Sequence, residues 1–318
     1  MIGADLTTLA GRRRPRRLQP GDRVAIVAPA SPVQAELLQR GVEEIQGLGF
    51  CPVYDDRVLA RHGYVAGAPT LRAACLAEAW RDPSIRGVVA VRGGYGSQQV
   101  LPHLDPAWIA ADPKVFVGYS DLTALLAWHV SHGGVAFHGP MVEGRLARGH
   151  AGYDRASFLA AVTQPVPMGT LAPPGLDTLR PGEATGTLVG GTLTQLAALA
   201  GTPYALVPRE PTILFLEDVG ERPYRLDRLV TQLHQAGLFA RVTGIVFGMF
   251  PKCDEAGGGP TARGVLGDLF ARFPGPVVFG FPSGHTDSPA WTLPFGVQAR
   301  LSAGPTGAAL SIEEAAVA

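Results

Sequence analysis

Short apolar runs alternate with amphipathic stretches through the first 150 residues of the chain. Residues 24–28, 87–91 and 115–117 are such runs, rich in valine, as is typical of strands buried on both faces. Apolar residues at helical spacing follow, for example in residues 71–80. Strands separated by helices of this length predict a parallel sheet covered on both faces.

The pattern fades from about residue 144 and resumes after residue 182. The intervening stretch holds five prolines, including the pair Pro173 and Pro174, which favours a linker or a long connection. Amphipathic helices and short strands return beyond it. The expected strands are residues 213–216, 244–248, 277–279, 291–301 and 308–312.

We therefore expect an α/β protein in which an N-terminal parallel sheet flanked by helices is joined to a second, C-terminal domain of mixed α/β structure with short β segments. The predicted segments are a disordered basic tail (1–20), an N-terminal α/β domain (21–150), a linker (151–182) and the C-terminal domain (183–318).

The composition is that of a soluble globular protein, with 46% hydrophobic and 17% charged residues. A formal net charge of zero gives no reason to expect nucleic acid or a membrane surface as a partner. No stretch approaches the roughly 20 apolar residues of a membrane span. The basic run from Arg12 to Arg17 suggests a twin-arginine signal, but the apolar run after it is too short for one, so we interpret it as a tail.

The three cysteines, Cys51, Cys75 and Cys253, are few and widely spaced, which favours a reduced, cytoplasmic compartment. His129 and His132 lie three residues apart on a predicted helix, but no carboxylate motif accompanies them. We therefore expect no metal and no cofactor.

The most informative residues are 115–123, where an apolar run ends at Gly118 and leads to Ser120 at the start of a helical pattern. This order predicts a strand, a sharp turn and a helix with a hydroxyl at the turn. The amides of the first helical turn, Asp121 foremost, can face an anion beside that hydroxyl. A nucleophilic serine needs this geometry, because its tetrahedral oxyanion must be held by amides already in position.

Ser120 has a plainer interpretation, because serine is also a preferred helix N-cap residue. The helix that follows is expected to place Leu122, Leu125, Leu126 and His129 on one face. The commonest serine-hydrolase fold is disfavoured, since its nucleophile turn requires glycine at position 122.

A glycine-rich turn, Arg92-Gly93-Gly94-Tyr95-Gly96, follows the strand at residues 87–91. Ligands of open α/β sheets bind beyond the carboxyl ends of strands, so this turn is a candidate binding element. Its amides can approach a phosphate or an oxyanion closely, or the glycines can simply form a tight turn.

Carboxylates and histidines follow other predicted strands. Glu217 and Asp218 end the strand at 213–216, which suggests either a functional role or a salt bridge to Arg225 or Arg228 on the next helix. His285 lies on a loop framed by glycine and proline, where an imidazole can act as a general base near neutral pH. His138 is equally placed, and the residues themselves do not choose between the two histidines.

Short motifs in a fixed order over residues 21–301 together resemble the LD-carboxypeptidase family of serine peptidases. They are residues 21–24, 28–31, 92–96, 118–121, 138–140, 190–191, 201–204, 216–221, 224–228, 284–285 and 292–294. The resemblance implies a triad of Ser120, Glu217 and His285, and so selects His285 over His138. It also implies that the backbone amides of Asp121, Gly93 and Gly94 hold the oxyanion.

One residue departs from the family pattern. Thr192 stands after Gly190 and Gly191, where the family usually carries asparagine. Threonine keeps a hydroxyl but lacks the amide, so the contacts made by this loop are expected to differ.

The resemblance implies hydrolysis of the L,D-peptide bond before the terminal D-alanine of a murein tetrapeptide, through an acyl-enzyme, in peptidoglycan recycling. It also implies a cytoplasmic homodimer. Because this small peptide substrate ends in a carboxylate, Arg92, Arg225 and Arg228 are candidate partners for that group, and Tyr95 and Trp291 are further candidate substrate contacts.

Three alternatives remain open at this point. The first is a microcin C-type immunity peptidase that cleaves an aminoacyl-nucleotide conjugate and stacks its adenine on Trp291. The second is a non-catalytic module that binds an anion or a peptide. The third is a generic esterase.

Overall fold

Two β-sheets organise the protein in the computed structural model, which describes residues 12–305 and 307–318. The strands are β1 (Arg23–Val27), β2 (Cys51–Val53), β3 (Ile85–Ala90), β4 (Val115–Gly118), β5 (Ala136–His138), β6 (Gly169–Leu171), β7 (Asp177–Arg180), β8 (Gly182–Thr192), β9 (Thr212–Glu217), β10 (Val242–Phe247), β11 (Val277–Phe279), β12 (Leu293–Phe295), β13 (Val297–Gly304) and β14 (Gly307–Ile312). The helices are α1 (Ala35–Gly47), α2 (Pro69–Arg81), α3 (Ala107–Ala111), α4 (Thr123–Ser131), α5 (Arg155–Thr163), α6 (Leu193–Leu199), α7 (Pro223–Gln235) and α8 (Ala262–Leu269).

The first sheet has the strand order β12-β5-β4-β3-β1-β2. Strands β2, β1, β3, β4 and β5 run parallel, and β12 pairs antiparallel with β5 at one edge. All four residues of β4 are buried, in agreement with its continuous apolar run. The predicted α/β fold with an N-terminal parallel sheet is confirmed.

The second sheet has the order β6-β14-β13-β8-β9-β10-β11-β7. Its four central strands, β8 to β11, are parallel, and antiparallel strands extend it on both sides. Every residue of β9 is buried, including Glu217 at its carboxyl end. The mixed architecture expected for the C-terminal domain is therefore present.

The two sheets do not follow the predicted segments. Residues 151–182, predicted as a linker, contain α5 and the strands β6 and β7, which both join the second sheet. Conversely, β12 lies within the predicted C-terminal domain but completes the first sheet. These strands are only three or four residues long. Such lengths carry too little local periodicity to reveal distant pairing partners.

The predicted disordered tail of residues 1–20 is only partly within the described residues, which begin at 12. For residues 12–20 the prediction of disorder is wrong. The amide of Arg13 donates to the carbonyl of Gly133 at 2.8 Å, and that of Arg17 to Ala318 at 2.9 Å. Leu18 is 3% exposed and belongs to the core, so its burial anchors this segment.

Helix α4 lies between the two sheets, in contact with β4 and β5 on one side and with β8 and α6 on the other. Residues 123–130 are consequently all buried, so α4 is covered well beyond the face that carries Leu125, Leu126 and His129. His129 packs against the rings of Trp80 and Phe116, with centroids 5.3 and 5.9 Å away.

Within the described ranges, no cluster of three or more histidine, cysteine, aspartate or glutamate side chains is arranged to hold a metal ion. None of the helices described has both the length and the apolar character needed to cross a membrane.

Candidate active site

Ser120 lies directly beyond the carboxyl end of β4, in the sharp turn that the sequence predicts. Its φ angle is +62°, a left-handed conformation that costs a non-glycine residue about 1–2 kcal/mol. A single 3₁₀ turn, Ser120–Leu122, leads into α4, and neither helix start has a side-chain capping hydrogen bond. The N-cap interpretation of Ser120 is therefore wrong, and the strained turn calls for another explanation.

Gly93 packs against Ser120 so closely that no side chain would fit. A Cβ atom on Gly93 would lie 2.8 Å from the Ser120 Cβ, 3.0 Å from its Oγ and 3.1 Å from the Asp121 amide nitrogen. The glycine turn and the start of α4 therefore border one small space beside the Ser120 hydroxyl. The amides of Gly93 and Gly94 have no hydrogen-bond acceptor among the described residues.

The glycine turn is held in place by buried polar side chains. The Asp121 carboxylate accepts a hydrogen bond from the Ser97 amide at 2.8 Å, and the Ser97 hydroxyl donates to the Asp121 carbonyl. Arg72 is 2% exposed and donates to the carbonyls of Gly96 at 2.7 Å and Pro29 at 2.6 Å. These bonds fix the turn relative to Ser120 before any ligand arrives.

Glu217, the last residue of β9, is fully buried and receives three hydrogen bonds. Its Oε2 accepts from the His285 Nδ1 at 2.7 Å and from the His285 amide at 2.8 Å, while Oε1 accepts from the Thr192 hydroxyl. Gly284 permits this approach, because a Cβ there would lie 2.7 Å from the Glu217 Cδ. The carboxylate therefore fixes both the ring and the backbone of His285.

The ionisation of this pair follows from its surroundings. Burial favours a neutral imidazole, but the charge and hydrogen bond of Glu217 outweigh it and raise the pKa of His285 above its ordinary value. Burial also favours a protonated carboxyl, yet the charge and hydrogen bond of His285 lower the pKa of Glu217. Glu217 is thus ionised throughout the range in which His285 titrates.

The ring of Tyr119 connects this pair to the serine turn. Tyr119 precedes Ser120 in the chain, and its ring meets the His285 ring edge-on with centroids 5.2 Å apart. Ser120, Glu217 and His285, predicted from three distant parts of the chain, are therefore brought to one region, where β4, β9 and the loop after β11 end.

His138, the rival histidine, is fully buried and lacks a carboxylate partner among the described residues. The Ser283 hydroxyl donates to the Trp291 carbonyl at 2.8 Å, so its oxygen accepts the proton of the His138 Nδ1 at 2.9 Å. Burial lowers the pKa of His138 to about 4, which keeps its ring neutral at pH 7.

The candidate substrate contacts are distributed unevenly around this region. Arg92, the first residue of the glycine turn, is partly exposed and pairs with Glu143 at 3.0 Å. Arg225 on α7 pairs with Glu221, just before that helix, and no ion pair of the described residues joins it to Glu217 or Asp218. Arg228 stacks over the ring of Tyr224, 5.5 Å from its centroid.

The two aromatic candidates also differ. Tyr95, within the glycine turn, is 51% exposed, and its ring meets that of Tyr64 edge-on with centroids 5.3 Å apart. Trp291 is half-buried against Phe281 and lines a cavity of about 610 Å³ with residues such as Pro282. None of Ser120, Glu217 and His285 lines that cavity as the described residues form it.

Two residues near the pair make contacts that local sequence patterns do not predict. The hydroxyl of Thr192, the residue that departs from the family pattern, donates to Glu217. Arg145 is 5% exposed and donates to the carbonyl of Gly284, beside His285, at 2.6 Å. A lone arginine in an irregular segment carries no pattern that would distinguish it from a solvated one.

Family models match both halves of the chain. The LD-carboxypeptidase N-terminal domain matches residues 24–139, and the LD-carboxypeptidase C-terminal domain matches residues 185–301. These ranges include Ser120 in the first domain and Glu217 and His285 in the second.

Individual relatives agree along nearly the full length. A carboxypeptidase homologue from Streptomyces coelicolor is 42% identical over 91% of this chain and 93% of its own length. The murein tetrapeptide carboxypeptidase of Pseudomonas aeruginosa is 34% identical over 89% of this chain and 94% of its own. The solved structure of the microcin C7 self-immunity protein MccF, as an inactive mutant without ligand, superposes with a TM-score of 0.88 at 26% identity over 96% of this chain and 100% of that chain. The chain therefore belongs to the LD-carboxypeptidase family of serine-type hydrolases.

Proposed function

We propose that the protein hydrolyses the L,D-peptide bond before the terminal D-alanine of a murein tetrapeptide, with Ser120 as nucleophile, His285 as general base and Glu217 as its carboxylate partner. The observation that carries this proposal is the buried Glu217–His285 hydrogen bond of 2.7 Å beside the strained Ser120 turn. A cap or a plain turn explains neither the strain nor a buried carboxylate paired with an imidazole.

The proposed proton transfers follow from the hydrogen bonds of His285. Glu217 accepts the Nδ1 proton, so the neutral ring keeps its lone pair on Nε2. Nε2 takes the proton of the Ser120 hydroxyl as the oxygen attacks the amide carbonyl, and then gives it to the departing D-alanine amine. A water molecule deprotonated by the same nitrogen hydrolyses the acyl-enzyme, which releases the tripeptide and restores Ser120.

The oxyanion formed in each step is proposed to lie in the space between Ser120 and the glycine turn. The amide nitrogen of Asp121 borders that space, and the unpaired amides of Gly93 and Gly94 supply further donors. Donors held in place before the reaction stabilise the developing charge without having to reorganise.

Substituting Gly93 by alanine is expected to lower kcat about 10- to 100-fold, because the methyl group would enter the space assigned to the oxyanion. The measurement is the initial rate of D-alanine release from the tetrapeptide. Gly267→Ala is the matched control, since a Cβ at that position in α8 meets nothing within 4 Å. Full activity of the Gly93→Ala protein would remove the glycine turn from the proposed mechanism.

The substrate assignment is supported by the greater sequence identity to the murein tetrapeptide carboxypeptidase, 34%, than to MccF of Escherichia coli, 29%. We further propose that Arg92 and Tyr95 contact the substrate, because both belong to the turn that borders Ser120 and both are accessible. The terminal carboxylate would then share the Arg92 guanidinium with Glu143.

Incubation with purified murein tetrapeptide is expected to yield the tripeptide and free D-alanine, detected by mass spectrometry as the loss of one alanine. A parallel incubation with an aminoacyl sulfamoyl adenosine tests the immunity-peptidase alternative. Cleavage of the nucleotide conjugate alone would assign that activity instead. Cleavage of neither, with no labelling of Ser120 by a serine-directed phosphonate, would favour the binding module, and hydrolysis of simple aryl esters alone would indicate an esterase.

We propose a cytoplasmic location and a role in peptidoglycan recycling. The three cysteines, Cys51, Cys75 and Cys253, are all unpaired, which is typical of proteins in a reducing compartment. The homodimer implied by the family resemblance stays a prediction, which sedimentation of the purified protein would test.

A further inference from the structure

Arg145 is a buried cation without a carboxylate partner among the described residues. Arg145 directly precedes the 3₁₀ segment Leu146–Ala151 and is 5% exposed. None of the ion pairs formed by the described residues includes it. A charge taken out of water at this cost is normally paired or tied to several acceptors. The acceptors here are backbone carbonyls.

The Arg145 guanidinium donates hydrogen bonds to the loop that carries His285, on both sides of that residue. Its Nη2 donates to the carbonyl of Gly284 at 2.6 Å and to that of Thr286 at 3.0 Å. Its Nη1 donates to Gly152 at 3.1 Å and lies 3.4 Å from the Ser288 carbonyl. Only a planar group with several donors can hold so many carbonyls at once, which distinguishes arginine from lysine.

Arg145 also reaches the serine turn. Its guanidinium carbon lies 5.8 Å from the centroid of the Tyr119 ring, and that ring contacts His285 edge-on. Tyr119 immediately precedes Ser120. One side chain therefore touches the segment that carries the nucleophile and the segment that carries the base.

We propose that Arg145 is a positioning residue that fixes the His285 loop relative to the Ser120 turn and places a positive charge beside the imidazole. This inference rests on the proposed function of Ser120 and His285. Nothing in Arg145 touches the reacting atoms, so its effect must pass through the position and the ionisation of His285.

The electrostatic part of the proposal has a definite sign. The groups that act on His285 are Glu217 and Asp218, which favour the imidazolium, and Arg145, which opposes it. The neighbouring rings of Tyr119 and His138 are both buried and neutral at pH 7. Loss of the Arg145 charge is therefore expected to raise the pKa of His285, so that activity disappears at a higher pH on the acid side.

Two substitutions separate the charge from the shape. Arg145→Met removes both, and we expect kcat to fall roughly 10- to 100-fold while KM changes less than about twofold. The acid limb of the pH–activity profile, where activity is lost as His285 becomes protonated, should move to higher pH. Arg145→Lys keeps the charge but cannot bridge both carbonyls, so kcat falls while the acid limb stays near that of the unmodified protein. Arg148→Met, at an exposed position in the same segment, is the control and should change neither kcat nor the position of the acid limb.

A readout independent of turnover is the NMR signal of the proton between His285 and Glu217, followed as a function of pH in the full-length protein. In the Arg145→Met protein this signal should report the titration of His285 at a higher pH. In a separate Arg145→Ala protein, added guanidinium should partly restore kcat. Loss of thermal stability alone, with an unshifted titration and no rescue, would overturn the proposal and leave Arg145 a structural residue. If the unmodified protein cleaves no tetrapeptide and takes up no phosphonate, the proposed function fails, and the NMR titration still decides whether Arg145 acts on His285.

Discussion

Replacing Ser120 by alanine is expected to lower kcat for D-alanine release by about 10⁴- to 10⁶-fold, because the acyl-enzyme can no longer form. The residual rate would come from the oxyanion donors and from substrate binding alone. The measurement is the release of D-alanine from murein tetrapeptide over hours at high enzyme concentration. Phosphonate labelling, read by mass spectrometry of the peptide that contains residue 120, should disappear in the same variant.

Ser120→Gly is the matched control for the strain at this residue. Its φ of +62° disfavours serine and alanine alike but suits glycine. We expect the Ser120→Gly protein to be as inactive as the Ser120→Ala protein. Its free energy of unfolding in denaturant should exceed that of Ser120→Ala by about 1 kcal/mol. Substantial turnover by either variant would contradict the nucleophile assignment, whereas equal stabilities would show only that the turn is not strained.

The strand, turn and helix around Ser120 could be predicted because their information is local. An uninterrupted apolar run, then Gly118 and a helical pattern, lie within about fifteen residues. The parallel sheet followed from the same alternation of strands and helices. The burial of the other faces of α4 could not be predicted, because this helix packs between the two sheets and the sequence pattern does not show how many faces a helix buries.

Pairing between distant segments could not be predicted from local patterns. His138 and His285 both follow predicted strands, and in the structure it is His285 that makes the 2.7 Å bond to Glu217. The family resemblance made the same choice, but through motifs rather than through geometry. Strand β12 likewise joins β5 across more than 150 residues of chain, a contact that three residues of sequence do not encode.

The site depends on both sheets, because β4 of the first carries the turn with Ser120 and β9 of the second ends at Glu217. Neither half contains the hydroxyl, the imidazole and the carboxylate together. Tyr119, α4 and Arg145 are the contacts that hold the halves in register. This arrangement explains why buried residues with no direct part in the chemistry surround the proposed triad.

Substituting Glu217 by glutamine is expected to lower kcat by about 10³- to 10⁴-fold while leaving the fold intact. The amide oxygen can still accept from the His285 Nδ1 and backbone amide, but the negative charge that stabilises the imidazolium is lost. Burial then acts on His285 with less opposition, so its pKa falls and the acid limb of kcat/KM moves to lower pH. This shift is opposite in sign to the one expected for Arg145→Met.

Thr192→Val is the matched control, because it removes one hydrogen bond to Glu217 and leaves the charge in place. We expect a loss of about tenfold in kcat, the equivalent of one buried hydrogen bond, with the acid limb close to that of the unmodified protein. Stopped assays from pH 5 to 9 on the three proteins measure both quantities. An acid limb that stays in place or rises in Glu217→Gln would contradict the assignment of Glu217 as the group that holds His285 ready to accept a proton.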